Sequence, residues 1–436
     1  MERVLSSAVS SHIGQTIRLS GWVHTVRDFR EVLFLILRDR AGTAQCVVPK
    51  ELLEPEGANS GSVGKEFVVD VEGTVAADKR APGGAELQVS ALRVISTAAE
   101  PPLEINRPQV LAKTHLDKIL DHRPISVRAL PVRAIFKVQA EIIRAFAEYL
   151  RSHDFTEFKS SKIVATGTEG GANLFEIDYF DRPAYLAQSP QFYKQVMVGS
   201  GFERVFEIGP AFRAEKHETS RHVNEYTSLD YEMGFIDDEQ DVISMQAGLI
   251  RHLCEHVAKV CPAEVEMLGA TIPEVGDTIP QLTFAEALRR VEESGHRLPA
   301  GDLDPEGERR LSQWAKEEHG SDFVYVVGFP LAHRPMYTYF REEDPTVSRS
   351  FDLLFRGLEI TTGSQRIHNY ELQVEKMRER GLNPDEFTSY LSIFKHGMPP
   401  HGGLAIGLER FTMQLLGLQN VKHATLFPRD RYRLEP

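Results

Sequence analysis

Cysteine is scarce in this chain: Cys46, Cys254 and Cys261 are the only three in 436 residues. An odd count, wide spacing and no Cys-x-x-Cys pair argue against a disulfide framework or a thiolate zinc site. Cys254 and Cys261, seven apart, are expected to be buried as small apolar residues, and the usage as a whole points to a reducing compartment. Long apolar runs are also missing, and none approaches the roughly 18 residues of a membrane span. The opening MERVLSSAVSSHIG lacks a basic stretch followed by an apolar core, so the expected location is the cytoplasm. Positive charge is in deficit. Lys plus Arg number 50 against 63 Asp plus Glu, a net charge of −13, which taken alone argues against a nucleic-acid partner. No repeat or low-complexity tract occurs. What remains is ordinary globular composition, 42% hydrophobic and 26% charged, at a length that suits two or three domains.

The first hundred residues read as strands. IRLSGWVHTVRD, EVLFLILRDR, TAQCVVP, EFVVDVEGTVAAD and AELQVSALRVIST are rich in β-formers, and segments bearing Gly or Pro separate them. Five short strands in about a hundred residues predict a small closed barrel of the OB type over 1–100. A linker is expected over 101–130, where Pro101, Pro102 and Pro108 interrupt any periodicity. From Pro131 the pattern turns helical, with Ile135, Val138, Ile142, Phe146 and Tyr149 at three- and four-residue steps. Further helices are expected at 239–261, 284–295 and 369–380. Between them lie strand-like segments without a regular βαβ rhythm, which predicts an α+β domain over 131–436 built on an antiparallel sheet.

Three clusters in this second region are costly to explain as structure. In FEIGPAFRAEKHETSRHVNEYTSLDYEM, residues 206–233, Arg213 and Glu215 leave a strand, and Arg221 and His222 lie on the loop. Two arginines and a histidine there form a candidate anion clamp, since guanidinium pairs bidentately with phosphate. A solvated, charge-rich hairpin is the commoner meaning of any one such loop. In SFDLLFRGLEITTGSQRIHNYE, residues 350–371, Asp352 and Glu359 are seven apart, which places them on opposite faces of an unbroken strand. A turn or bulge near Arg356–Gly357 would bring them together as hard oxygen ligands for phosphate-bound magnesium, Mg2+. In HGMPPHGGLAIGLERFTMQLLG, residues 396–417, prolines and glycines through Gly403 read as a turn. Gly407 then precedes a helix with Arg410 in its positive first turn.

In order and mutual spacing the three clusters resemble the signature motifs of the class II aminoacyl-tRNA synthetases. Residues 131–164 resemble motif 1, 206–233 motif 2 and 396–417 motif 3. The N-terminal barrel places the resemblance in subclass IIb, whose members charge Asp, Asn or Lys, and in detail among the archaeal-type aspartyl-tRNA synthetases. That resemblance implies an ATP-dependent ligase that makes aspartyl-adenylate from L-aspartate and passes it to tRNA(Asp). It implies that Glu169 binds the substrate ammonium, and that Gln191, Phe192, Tyr193 and Lys194, with Thr362 and Arg366, line the amino-acid pocket. Arg213 would touch both the α-phosphate and the aspartate. Glu215 would read the adenine amino group, Tyr226 would stack on adenine, Arg221 and His222 would meet the outer phosphates, and Ala214 and Val223 would also belong to the ATP site. Gly407, Leu408, Glu409 and Arg410 would complete the ATP site, with magnesium on Asp352, Glu359 and Thr362. Arg213 and Arg410 are the expected catalytic pair.

The pocket cations Lys194 and Arg366 favour aspartate over asparagine, because an asparagine pocket would leave that charge unpaired. On the barrel, Phe34, Gln45 and Glu86 match the residues that hold the central anticodon base. Arg27, Arg30, Arg38 and Arg40 form a basic run beside them. Strict members of the family carry Trp and Lys where this chain has His24 and Pro82. His and Pro there imply a non-discriminating enzyme that also aspartylates tRNA(Asn), for later conversion by an amidotransferase. A discriminating aspartyl enzyme and an asparaginyl enzyme remain the alternatives. A homodimer is expected, although Ser161 stands where motif 1 normally has an interface proline.

Overall fold

The computed structural model describes residues 1–53, 63–167, 173–216, 219–299 and 302–436. The chain divides into two compact units, Met1–Leu130 and Pro131–Pro436.

In the first unit β1 (Thr16–Asp28), β2 (Val32–Arg38), β3 (Thr43–Pro49), β4 (Val68–Ala77) and β5 (Ala85–Ser96) close into a barrel of order β1-β2-β3-β5-β4. Period-two alternation decides which way each side chain faces. On β2, Leu33, Leu35 and Leu37 are buried in the barrel core, while Phe34 and Ile36 on the other face are only half-buried. Residues 101–130 carry three short helices, Pro108–Leu111, Leu116–Asp121 and Arg123–Ser126. Leu111, Ile119 and Leu120 give this segment a buried side.

The second unit is α+β. Its sheet contains β6 (Thr156–Glu157), β7 (Arg204–Phe212), β8 (Glu225–Gly234), β9 (Gln281–Thr283), β10 (Phe323–Val327), β11 (Ser350–Phe355), β12 (Leu358–Arg366) and β13 (His401–Gly407). Their order is β9-β10-β11-β12-β13-β8-β7-β6. The six central strands are antiparallel, and only the outer pairs β9–β10 and β6–β7 are parallel. Helices α1 (Leu130–Ser152) and α2 (Glu239–Val260) contribute the predicted apolar stripes to one core with the sheet, where Val138, Ile142, Phe146, Leu249 and Leu253 join Leu229, Tyr231, Leu404 and Ile406. All three cysteines are buried and unpaired, and burial raises each thiol pKa, to about 12 for Cys46 and Cys254 and about 11 for Cys261.

Two local expectations need correction. Gly402 and Gly403 do not form a turn but lie inside β13. They are small because a Cβ on Gly403 would stand 2.2 Å from both Glu232 Oε2 and the Tyr231 carbonyl. The charge-rich segment Pro305–His319 forms a helix, α3, that apolar periodicity did not announce. Its ends are marked instead by the Asp304 cap, which accepts from Gly307 N–H, and by left-handed Gly320.

Candidate active site

Because strand side chains alternate, the face of the sheet opposite the helical core is polar. Ser228, Asp230 and Glu232 point that way from β8, alternating with core Leu229 and Tyr231. Their cross-strand partners on β13 are Gly407, Ala405 and Gly403. The small–large alternation in GGLAIG thus leaves room above the sheet for acidic side chains. Over this floor lies a cavity of about 410 Å³. Its walls include Arg213, Glu215, Arg221, His222, Val223, Tyr226, Glu359, Thr362, Arg366, Gly407, Glu409 and Arg410, with Gln191 and Lys194.

At the end lined by Arg213, Arg221 and Arg410 the cations are held in place by neighbouring groups. Asn224 bridges the mouth of the β7–β8 hairpin through the carbonyls of Arg213 and Glu215, at 2.7 and 3.1 Å. The Arg213 guanidinium lies 5.7 Å from the centre of the Tyr226 ring. His222 accepts from or donates to Thr219 Oγ1 at 2.7 Å, and its other nitrogen is 3.7 Å from Glu215. Arg221 pairs with Glu308 of α3. Arg410, in the first turn of α4 (Leu408–Leu415), donates to the Glu359 carbonyl at 3.1 Å and the Arg221 carbonyl at 3.3 Å. Beside it Glu409 accepts from Thr227 N–H, and burial pushes its carboxyl pKa up to about 7.

The opposite end of the cavity is a buried charge network. Lys194 Nζ donates to Asp230 at 3.0 Å and to the Leu404 carbonyl at 2.9 Å, and lies 3.3 Å from Glu232. Arg366 holds the same Glu232 at 2.9 Å. Burial works to raise the Glu232 pKa, but Arg366 and Lys194 overcome it and leave the carboxyl below its ordinary value. Both expected cations therefore line the cavity, but each arrives neutralised rather than free, with Asp230 and Glu232 as the partners. Among the described residues, Asp230 Oδ2 is buried without a hydrogen-bond partner. Beneath Arg366, His401 takes Gln195 Nε2 on its Nε2 at 2.8 Å and sets its Nδ1 2.9 Å from the Pro399 carbonyl. That network assigns the neutral tautomer protonated at Nδ1. Burial drives the His401 pKa down to about 4.

The acidic pair converges by both of the devices named above. Left-handed Arg356 and Gly357 turn β11 back into β12, and the register slips between Leu353 and Leu354. Glu359 then accepts from Thr362 Oγ1 at 3.2 Å, and Asp352 lies opposite Thr362. Burial, and the Glu359 charge beside it, raise the Asp352 pKa, against the pull of Arg334 at 2.9 Å. Among the described residues, Asp352 Oδ1 is buried and accepts no well-formed hydrogen bond, although Thr362 stands close enough to act on the carboxyl. Two carboxylates and a hydroxyl, one of their oxygens without a well-formed hydrogen bond, suit a hard divalent cation. Among the described residues no cluster of three or more His, Cys, Asp or Glu could hold a metal, so such an ion would share its shell with phosphate oxygens and water.

Some expected residues are elsewhere. Glu169 lies outside the described residues. In the helix Gln191–Met197 the three-residue step turns Gln191 and Lys194 to the cavity, whereas Phe192 stacks on Tyr390 at 4.2 Å in a side core. Tyr193 and Ala214 do not line the cavity, and Leu408 is buried in the main core. On the barrel, Gln45 donates to Glu86 at 2.7 Å across the β3–β5 pair, and Phe34 meets the exposed Phe29 edge-on at 5.4 Å. Pro82 is exposed in the turn Pro82–Gly84. Arg38 is a correction: it is 2% exposed, doubly bonded to Glu66 and 3.0 Å from His24. It therefore leaves Arg27, Arg30 and Arg40 as the exposed members of the basic run.

A family model of the tRNA synthetases class II (D, K and N) matches residues 115–431. The chain belongs to that family. A second model, an OB-fold nucleic acid binding domain, matches residues 17–95. This class II synthetase is 49% identical to the aspartate–tRNA(Asp/Asn) ligase of Deinococcus radiodurans, over 100% of this chain and 99% of the relative. It is 48% identical to the aspartate–tRNA(Asp/Asn) ligase of Thermus thermophilus, over the whole of both. Among solved structures, asparaginyl-tRNA synthetase from Pyrococcus horikoshii complexed with asparaginyl-adenylate matches with TM-score 0.93 and 32% identity over 100% of both chains. The synthetase uses ATP with a divalent metal, as its class does. Asp230, Glu232, Asn224, Glu308 and Arg334 were not singled out in the sequence. The first two were readable in principle, as acids alternating with the apolar Leu229, Tyr231 and Met233.

Proposed function

We propose that this synthetase is an aspartate–tRNA ligase that charges tRNA(Asp) and tRNA(Asn). The observation that supports it most is the single cavity with Arg213, Arg221 and Arg410 at one end and the Lys194–Arg366 network at the other. Two relatives, 49% and 48% identical to this chain, bear the aspartate–tRNA(Asp/Asn) ligase name. In the reaction an aspartate carboxylate oxygen attacks the α-phosphorus of ATP in line, forming a carboxyl–phosphate bond as pyrophosphate leaves. The terminal ribose hydroxyl of tRNA then takes the aminoacyl group and AMP departs. No protein side chain becomes covalently attached.

Catalysis is positioning and charge neutralisation. Arg213 neutralises charge on the α-phosphate, with Arg410 and Arg221 on the outer phosphates. Tyr226 offers its ring to adenine. Lys194 and Arg366 receive the β-carboxylate, and the unpartnered Asp230 Oδ2 offers an acceptor for the α-ammonium. Asp352, Glu359 and Thr362 would hold Mg2+, which supplies further neutralisation of the ATP phosphates. The barrel is assigned to the anticodon through Phe34, Gln45 and Glu86, residues 101–130 to the connection, and the catalytic unit to a homodimer in the cytoplasm. His24 and Pro82 motivate the dual tRNA scope, with an amidotransferase downstream. ATP–pyrophosphate exchange tests the amino-acid assignment: aspartate should drive it and asparagine should not, and exchange driven by asparagine alone would overturn it.

A further inference from the structure

The helix α3 is seated directly on the turn that leads to Glu359. The Gly357 N–H donates to Ser312 Oγ at 2.8 Å. A Cβ on Gly357, which sits at φ +85°, would meet Arg309 Cγ at 2.8 Å. That close approach fixes Glu308, the fourth residue of the helix, beside the cavity. Its carboxylate is largely withdrawn from water, with 15% of the side chain exposed, and the positive helix N-terminus favours an acid in this turn. One oxygen, Oε2, takes both the Arg221 guanidinium and, at 3.4 Å, the Glu359 N–H. The carboxylate thus joins three elements: α3, the loop of the β7–β8 hairpin and the strand bearing Glu359.

Arg221 has loop backbone beneath it, and its side chain has four rotatable bonds. Only Nη2 is engaged by Glu308. Among the described residues nothing hydrogen-bonds Nε or Nη1, while Arg221 itself lines the cavity. A guanidinium held by one edge presents its other donors in a fixed plane, which reduces the ordering cost when an anion arrives.

We propose that Glu308 is a positioning residue for ATP: it holds Arg221 by one edge so that the other faces the outer phosphates. This rests on the assignment of Arg221 to those phosphates. Steady-state exchange kinetics on the full-length enzyme test it. Glu308→Ala should raise KM for ATP roughly tenfold, the scale of one charge-assisted hydrogen bond, with KM for aspartate nearly unchanged. Glu308→Gln keeps an acceptor oxygen and should recover most of the loss. In an Arg221→Ala background, itself raised in KM for ATP, Glu308→Ala should add nothing. A Glu308→Ala enzyme with unchanged KM for ATP, or with an equal further loss in the Arg221→Ala background, overturns the proposal. If Arg221→Ala leaves KM for ATP unaltered, the phosphate assignment of Arg221 fails and the proposal falls with it. Loss of both KM values together in Glu308→Ala, not rescued by Gln, would mark a merely structural role and also overturn it.

Discussion

Arg410 and His401 sit a few residues apart and carry different burdens. Arg410 is anchored through the Glu359 and Arg221 carbonyls with its charge turned to the cavity. Arg410→Ala should lower aspartate-dependent exchange by roughly 10²–10³-fold, the usual scale for one preorganised transition-state donor, while tRNA affinity changes little. Wild-type exchange in that variant would contradict its assignment. His401 is a structural base held neutral. Its pKa falls from 6.5 unfolded to about 4 folded, so the stability it contributes is complete above pH 6.5 and is lost as pH falls through 4. The displacement is worth up to about 3 kcal/mol. Urea unfolding of wild type and His401→Gln should therefore differ most above pH 6.5 and converge toward pH 4, and a pH-independent difference would contradict this.

At the scale of elements, β8 and β13 show how the site depends on paired patterns. Ser228, Asp230 and Glu232 face small residues opposite, and Gly403 has no room for a methyl group beside Glu232. Gly403→Ala should push Glu232 off Arg366 and Lys194, depressing both yield of folded protein and aspartate activation. A fully folded variant with native KM for aspartate would refute that. The same pairing explains what could be read in advance. Strands and the α1 stripe follow from periodicity alone, so barrel and antiparallel sheet were legible, as were the helices near 239–261, 284–295 and 369–380. The bend that unites Asp352 and Glu359 was visible only as a condition, because a register slip leaves no mark in composition. Phe192 and Lys194 share one helical turn, and which of them faces the cavity depends on what packs behind it. Arg38 reads as a surface cation until Glu66, distant in sequence, is placed against it. α3 is charge-rich and its apolar stripe is thin, so Glu308 had no local signal.

For the molecule as a whole, the net charge of −13 once weighed against a nucleic-acid partner, and the OB-fold match over residues 17–95 removes that objection. With Arg38 withdrawn into the barrel, the exposed cations there are fewer than the sequence run implies. Affinity for tRNA should accordingly be moderate and salt-sensitive, carried by local cations and base stacking rather than by a global field. His24 is tied to the Arg38–Glu66 pair and Pro82 to an exposed turn. Both belong to the barrel proposed above to read the anticodon. The most direct measurement is aspartylation of purified tRNA(Asp) and tRNA(Asn) transcripts by the same enzyme preparation. Comparable charging of both with aspartate is the predicted result; charging of neither with aspartate, or strong rejection of tRNA(Asn), would contradict it.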